Sequence, residues 1–296
     1  MHPWWPVSVN CSPRAGLDRD PQQIFSRGRG ILVVGHGTAD PVGADETRRV
    51  AEQVGALLPG VPVALGFLEV IGPSIAESLA DLAAAGCGEV VAAPLLLFAA
   101  GHAKRDVPEA MQAAATACGL AVRQAEPFGC HWAIASLARR RRQEAVATGT
   151  FGPEATTLVM VGRGSSDPTA AAQLAAFTRA TLAGEPPPRR VLSGFVAAAR
   201  PPLPEALAAA ADPLDKGVRR ILVQPHLLFR GHVEEQVAAA VEAARRTWPG
   251  LEWVQVGRLG PDPLVALAVV DRARAAFAES DAAEKTPRQT GCESSQ

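Results

Sequence analysis

Residues 31–41, ILVVGHGTADP, decide the fold, because a second copy of the pattern, LVMVGRGSSDP, follows at 158–168. Each copy is a short apolar run that ends in a glycine-rich turn, which is typical of a buried strand leading into a helix. Two further pairs of blocks follow in the same order and at nearly the same spacing: VALGFLEVIGP with VLSGFVAAARP, and VVAAPLLLFAAGH with ILVQPHLLFRGH. Three matched blocks at a steady offset predict an internal duplication.

Short apolar runs alternate with longer stretches of helical periodicity in both halves. The runs are rich in Val and Leu and are bounded by Gly or Pro, which favours strands. Strands are predicted at 31–34, 61–67, 89–96, 120–125, 157–161, 190–195, 218–224 and 252–256. Helices are predicted in the first half at 44–58, 73–86, 106–118 and 131–147. This alternation predicts the α/β class: two similar domains, each a parallel sheet of about four strands flanked by helices, with a cleft between them.

The repeat also sets the expected domain boundaries. Residues 1–29 are rich in Pro, Arg, Asp and Ser without a clean period, which predicts a disordered or loosely ordered extension. An N-terminal α/β domain with the metal site is expected at 30–150, and a degenerate repeat of it at 151–280. The polar residues 281–296 are expected to form a disordered tail.

Composition narrows the classes of partner and the compartment. The formal net charge of −1 gives no global field for nucleic acid or anionic lipid, so neither is an expected partner. No apolar run is long enough to span a membrane, and the N-terminus is a poor signal peptide. The five cysteines are odd in number and form no C-x-x-C pair, which favours a reducing compartment over a disulfide framework. We therefore expect a cytoplasmic protein.

Three candidate metal ligands follow the first three predicted strands. His36, Glu69 and His102 come after the first, second and third strand respectively. Ligands of open α/β sheets bind outside the carboxyl ends of the strands, so one edge of one sheet would collect all three. Two imidazoles and a carboxylate suit cobalt, iron, nickel or zinc and leave coordination positions open. Taken singly, each residue could instead be an ordinary helix cap or a solvated side chain.

The second half departs from this pattern. The positions of the first two candidates hold Arg163 and Ala197, and only His232 matches its counterpart. A duplicated chain that keeps one ligand set is expected to keep one metal site. Arginine pairs well with carboxylates, so Arg163, Arg200 and Arg230 could bind anionic groups from the second half.

Motifs for nucleotide cofactors are missing from the sequence. The G-H-G turn has no third glycine in the place that a dinucleotide-binding fingerprint requires. No G-x-x-x-x-G-K-[ST] occurs, so nothing indicates the use of ATP. We expect no permanently bound cofactor.

At 33–41, 67–73 and 94–108 the sequence resembles the sirohydrochlorin chelatase family. The blocks are VVGHGTADP, FLEVIGP and PLLLFAAGHAKRDVP, and the likeness runs from about residue 31 to about residue 275. The family comprises class II, ATP-independent chelatases, and its long form is a tandem duplication of a short form that works as a homodimer. Thr38 departs from the more usual serine but keeps a hydroxyl.

The resemblance implies a role for each candidate residue. His36 would contact the metal and accept a proton, His102 would be the second ligand and second catalytic residue, and Glu69 would complete the metal site. Carboxylates on the substrate rim could be oriented by Lys104, Arg105 and the second-half arginines. The residues expected to bind the macrocycle are Leu97, Phe98, Ala99, Ala100, Gly101, Lys104, Arg163 and His232.

The resemblance implies insertion of a divalent metal, Co²⁺ or Fe²⁺, into sirohydrochlorin, in cobalamin or siroheme biosynthesis. The metal, with Ni²⁺ as a third possibility, would be a substrate. Two N–H protons must leave the macrocycle, and a neutral imidazole is a suitable base. The alternative is a non-catalytic carrier of metal or tetrapyrrole. A phosphohistidine-type hydrolase is disfavoured, because Gly35 stands where such enzymes place an arginine. Since the duplication replaces a homodimer, we expect a monomer.

Overall fold

The computed structural model describes most of the chain. It covers residues 24–25, 28–98, 101–147, 149, 151–212 and 214–285, and the side chains of 101–107, 110 and 283–285 lie outside the description. The extension predicted at 1–29 therefore falls almost wholly outside the described residues, as does the tail from 286 onward.

The first half forms a four-stranded parallel sheet with the order β2-β1-β3-β4. Its elements are β1 (Arg29–Gly35), α1 (Pro41–Leu57), β2 (Val63–Phe67), α2 (Ile75–Ala84), β3 (Glu89–Pro94), α3 (Gly101–Cys118), β4 (Ala121–Gln124) and α4 (Trp132–Val146). The central strand β1 is buried along its length from Gly30. Such a strand needs apolar side chains on both faces, as the run ILVV supplies.

The second half repeats the arrangement with the order β6-β5-β7-β8. Its elements are β5 (Thr156–Gly162), α5 (Thr169–Leu182), β6 (Arg190–Phe195), α6 (Leu203–Ala210), β7 (Arg220–Pro225), α7 (His232–Thr247), β8 (Glu252–Gln255) and α8 (Pro263–Lys285). A short 3₁₀ turn at Pro153–Ala155 leads into β5. The α/β class with two helix-flanked parallel sheets is thus confirmed.

Each face of the first sheet belongs to a separate core. Ile31 and Val33 point into a core shared with α1, α4 and α8. Leu32 and Val34 point the other way, into a core with α2 and α3. Alternate residues of a strand face opposite sides, so four consecutive apolar residues bury both faces at once.

The last helix of each half packs against the other half. Helix α8 lies on α1 and β3, whereas α4 contacts α5 and β8. The two helices also contact each other, and polar side chains near the start of each helix meet side chains on the other. His131, before α4, lies 3.5 Å from Asp271 of α8, and Asp262, before α8, pairs with Arg140 of α4. The two halves are therefore joined by exchanged helices.

Local capping explains where two helices begin. Helix α1 starts earlier than the predicted residue 44, because the Asp40 carboxylate accepts hydrogen bonds from the backbone N–H groups of Val42 and Gly43 at 2.8 and 3.1 Å. Helix α2 starts after a capping box formed by Ser74 and Glu77.

Two further boundary predictions are wrong. The third helix begins at Gly101 instead of 106, and Pro108, which fits a first helical turn, lies inside it. The disordered tail was predicted from 281, but α8 continues to Lys285. Asp281 pairs there with Arg29 at the start of β1, a long-range contact that local polarity does not reveal.

A membrane-spanning helix needs about 20 consecutive, mostly apolar residues. Within the described residues, no helix is both long and apolar enough to cross a bilayer.

Candidate metal and substrate site

The candidate site lies at the switch point of the first sheet, where the order of successive strands reverses. The chain leaves β1 toward β2 on one side and reaches β3 on the other, so a crevice opens outside the carboxyl ends of β1 and β3. His36 is the first residue after β1, and α3, which begins at Gly101, follows β3. His36 therefore lies directly after the first strand, as expected from the sequence, and this strand end borders the switch point between β1 and β3.

His36 and Glu69 lie side by side. The Nε2 atom of His36 is 3.3 Å from Oε1 of Glu69, and the two side chains are 43% and 58% exposed. The turns that carry them are also joined, because the backbone N–H of Glu69 donates a hydrogen bond to the carbonyl of His36 at 3.1 Å. The structure thus brings two of the three predicted ligands together in a position open to solvent.

Gly37 makes this close approach possible. Its φ is +98°, and a Cβ atom there would lie 1.9 Å from the carbonyl oxygen of Glu69. In the turn after β2, Val70 also has a positive φ, of 72°, and this conformation costs free energy in a β-branched residue. Both backbones are therefore held in the positions that juxtapose the imidazole and the carboxylate.

The structure describes only some of the remaining predicted site residues of the first half. Residues 99–100 lie outside the described residues, as do the side chains of His102, Lys104 and Arg105. Gly101 is described only as the first residue of α3. Within the described part of the chain, no group of three His, Cys, Asp or Glu side chains is close enough to hold a metal ion. The structure therefore supports a His36–Glu69 pair, and the third ligand stays a prediction.

Leu97 and Phe98 follow β3, at the same edge of the sheet as His36. The backbone N–H of Leu95 donates to the carbonyl of Val34 at 2.8 Å, and the carbonyl of Leu97 accepts from Gly129 at 2.8 Å. These bonds hold the segment beside the end of β1. Its position agrees with a role in substrate contact, which stays a prediction.

The second half keeps the turn geometry without the ligands. Gly164 has a φ of +89°, and a Cβ atom there would lie 1.7 Å from the carbonyl oxygen of Ala197. Ala198, next along, also has a positive φ of 51°. Arg163 takes the place of the histidine and is exposed, and no described residue forms an ion pair with it. The repeat therefore preserves a strained double turn and presents a guanidinium there.

The other predicted anion-binding groups differ in their surroundings. Arg200 is exposed, whereas the Nε atom of Arg230 is 3.3 Å from the Asp40 carboxylate. His232 is 80% exposed and lies 3.7 Å from Glu235 in the next turn of α7. Arg230 is thus engaged with the first half, which the sequence did not indicate.

The contact at Arg230 continues into a buried ion cluster. The backbone N–H of Arg230 donates to the Glu46 carboxylate at 2.9 Å, and Glu46, only 3% exposed, also pairs with Arg258. Hydrogen bonding to Glu46, with a further contribution from Glu234, raises the pKa of Arg258. This cluster fastens the turn after β7 to the start of α1, the helix that follows His36.

The sequence predicted no role for one residue at the switch point of the second sheet, which lies between β5 and β7. His226 follows β7 directly and is 5% exposed. Burial lowers its pKa to about 3, so the imidazole is neutral at physiological pH. The only sequence clue is a break in the repeat, because Leu95 stands at the matching position of the first half.

The fold and the His36–Glu69 pair together define a class of protein. Its members are tandem parallel α/β proteins with a candidate ligand site at the switch point of a sheet. The sequence model of the CbiX family matches the chain twice, at residues 30–145 and 157–276. The chain therefore belongs to the CbiX family.

Curated relatives of known activity are similar along most of the chain. A sirohydrochlorin ferrochelatase of Priestia megaterium is 31% identical over 72% of this chain and 77% of its own length. A sirohydrochlorin cobaltochelatase of the same organism is 26% identical over 83% of this chain and 79% of its own length.

Solved structures share the fold. SirB from Bacillus subtilis with Fe³⁺ superposes with a TM-score of 0.75 at 25% identity, over 86% of this chain and 97% of that one. The sirohydrochlorin chelatase SirB from Bacillus subtilis subspecies spizizenii, in complex with cobalt, gives 0.70 at 22% identity with the same coverage. The second likeness concerns the fold alone.

Proposed function

We propose that this chain is a sirohydrochlorin chelatase that inserts Co²⁺ or Fe²⁺ into the macrocycle without ATP. The observation that carries the proposal is the His36–Glu69 pair, held 3.3 Å apart at the first switch point. Membership of the CbiX family and two similar chelatases of known activity support it. The reaction belongs to siroheme or cobalamin biosynthesis, according to the metal.

The pair offers both parts of the required chemistry. Imidazole nitrogen and carboxylate oxygen are ligands for borderline divalent ions, and the solvent-open position allows the metal to exchange its water. A neutral imidazole at the same place can accept a proton from a pyrrole N–H. We assign His36 as ligand and proton acceptor and Glu69 as ligand. His102, at the start of α3, is assigned as the further ligand and catalytic group.

The macrocycle would lie against the first switch point and reach the second half. Leu97 and Phe98 provide apolar contact beside β1, and Arg163 provides an exposed guanidinium suited to a carboxylate of the rim. The full set proposed to bind substrate is Leu97, Phe98, Ala99, Ala100, Gly101, Lys104, Arg163 and His232.

The duplication bears on assembly, cofactors and location. Because α4 and α8 are exchanged between the halves, one chain supplies the packing that a dimer of single units would otherwise supply. We propose a cytoplasmic monomer in which the metal ion is a substrate and no further cofactor is bound. Ni²⁺ is included among the candidate metals, since similar ligands accept several ions.

Anaerobic absorbance spectroscopy tests the proposal. Sirohydrochlorin is mixed with Co²⁺, Fe²⁺ or Ni²⁺ and a small fraction of an equivalent of protein, and the spectral change of insertion is followed. Many turnovers per chain, faster than the protein-free reaction, are expected with at least one metal. Binding of one equivalent without turnover would identify a carrier instead, and no effect with any metal would refute the chelatase assignment.

A further inference from the structure

A buried histidine joins the two halves next to the site. The ring of His226 lies 4.0 Å from that of Phe177 on α5 and 4.7 Å from that of Phe98, measured between centroids. Phe98 belongs to the first half and Phe177 to the second. Within the described part of the chain, neither Nδ1 nor Nε2 of His226 has a hydrogen-bond partner.

An apolar side chain would satisfy this environment better than an imidazole. Burying polar atoms without partners costs free energy, and stacking alone does not require them. The chain itself provides the comparison, since Leu95 fills the matching position and is also buried. The fold therefore does not demand a histidine at the end of the strand, which points to a partner that arrives with a ligand.

The position of His226 is that of a ligand-binding residue. The strand order β6-β5-β7-β8 places the second switch point between β5 and β7, and His226 is the first residue after β7. Its backbone N–H donates to the carbonyl of Val161 at 2.8 Å, so it lies beside the strand end that carries Arg163. An exposed guanidinium and a covered imidazole thus share one edge of the second sheet.

The turn that begins with His226 also lies against the first half. At its far end, the carbonyl of Arg230 comes so close to α1 that a Cβ atom on Gly43 would lie 2.3 Å from it. At its near end, His226 stacks on Phe98, in the segment proposed to contact the macrocycle. A ligand that displaces the Phe98 ring would therefore open one side of the imidazole, while Phe177 stays in contact with it.

We infer that His226 is a substrate-binding residue of the second half, covered by Phe98 in the unliganded chain and hydrogen-bonded to a carboxylate of the tetrapyrrole rim in the complex. This inference rests on the proposed function, because it takes the macrocycle as the ligand. A neutral imidazole carries one N–H group, which donates to the carboxylate oxygen. No proton is transferred in this step.

Two apolar replacements and one polar replacement test the inference. His226→Leu copies the first half, His226→Phe keeps the ring stack, and His226→Gln keeps an N–H donor. We expect the Leu and Phe variants to raise the Kd and the KM for sirohydrochlorin by about tenfold or more, the loss expected for a hydrogen bond to a charged group. Their kcat should stay within about twofold, and the Gln variant should bind more tightly than either.

Binding is measured without metal, by fluorescence titration of sirohydrochlorin, so that it is independent of turnover. Thermal melting checks folding, and the apolar variants should melt at or above the temperature of the wild type. Nitrogen-15 spectra of the histidine rings supply a direct reading, with the resonances of His226 assigned by their absence from the Leu variant. They should shift on addition of sirohydrochlorin.

The outcomes separate this inference from the proposed function. Wild-type Kd and KM in both apolar variants, or unchanged ring resonances in the complex, would overturn the role of His226 while leaving chelation intact. Binding without metal insertion by the wild type would refute the chelatase, and the Kd comparison would still decide the role of His226. No binding by the wild type would overturn both.

Discussion

The stability of the protein should depend on pH through His226. The folded chain holds its pKa at about 3, whereas an exposed histidine titrates near 6.5. Below pH 6.5 the unfolded chain therefore takes up a proton that the folded chain refuses, so the free energy of unfolding falls as the pH falls. The slope is about 1.4 kcal/mol per pH unit, and lowering the pH from 7.5 to 5 should cost about 2 kcal/mol.

Urea denaturation of the wild type and His226→Leu at both pH values isolates this effect. Other titrating groups are common to the two proteins, and burial is the sole cause of the shift at His226, so the difference between them reports this one ring. The variant should be more stable by about 1–3 kcal/mol at pH 7.5, because it removes two buried polar atoms that have no hydrogen-bond partner among the described residues. Its advantage should grow by about 2 kcal/mol at pH 5. An equal pH dependence in both proteins would show that the imidazole is solvated or paired, and would refute the reasoning.

Two further predictions concern residues that hold the site in place, the Gly37 turn and the Glu46–Arg258 ion pair. Gly37→Ala should destabilise the fold by about 3 kcal/mol or more in urea denaturation and abolish Co²⁺ binding, because both its positive φ and the nearby Glu69 carbonyl exclude a side chain. The control Gly60→Ala has a φ of +85° but open space around it, so it should cost only about 1 kcal/mol. Equal costs would contradict the proposed contact. Arg258→Met should cost about 3–5 kcal/mol, since it strands the buried Glu46 carboxylate, while Arg246→Met on an exposed pair should change stability by less than about 1 kcal/mol. A small loss in the first variant would mean that the cluster contributes little.

The sequence predicted the sheets well because the signals were local. Buried parallel strands read as apolar runs, and the repeat supplied each of them twice. Strand ends then indicated the edge that carries His36 and Glu69, which the structure brings together. Periodicity does not say which sheet a helix covers, so the exchange of α4 and α8 between the halves was not predicted.

The surroundings of single side chains were harder to predict. Arg230 was expected to bind an anion, but its partner is Asp40, which lies far away in sequence and near only through the packing of the halves. His226 showed no motif at all. Its single clue is the leucine at the matching position of the first half. Such an exception to a repeat gains meaning only from the burial of His226 and from its lack of hydrogen-bond partners within the described part of the chain.

The measurement that tests the central claim most directly is metal insertion by His36→Ala. The remote, exposed carboxylate change Glu242→Gln on α7 serves as control. Loss of both a metal ligand and a proton acceptor predicts a fall in kcat of about 100-fold or more with unchanged melting temperature, and wild-type rates in the control. Insertion by folded His36→Ala at the wild-type rate would contradict the assignment of the site.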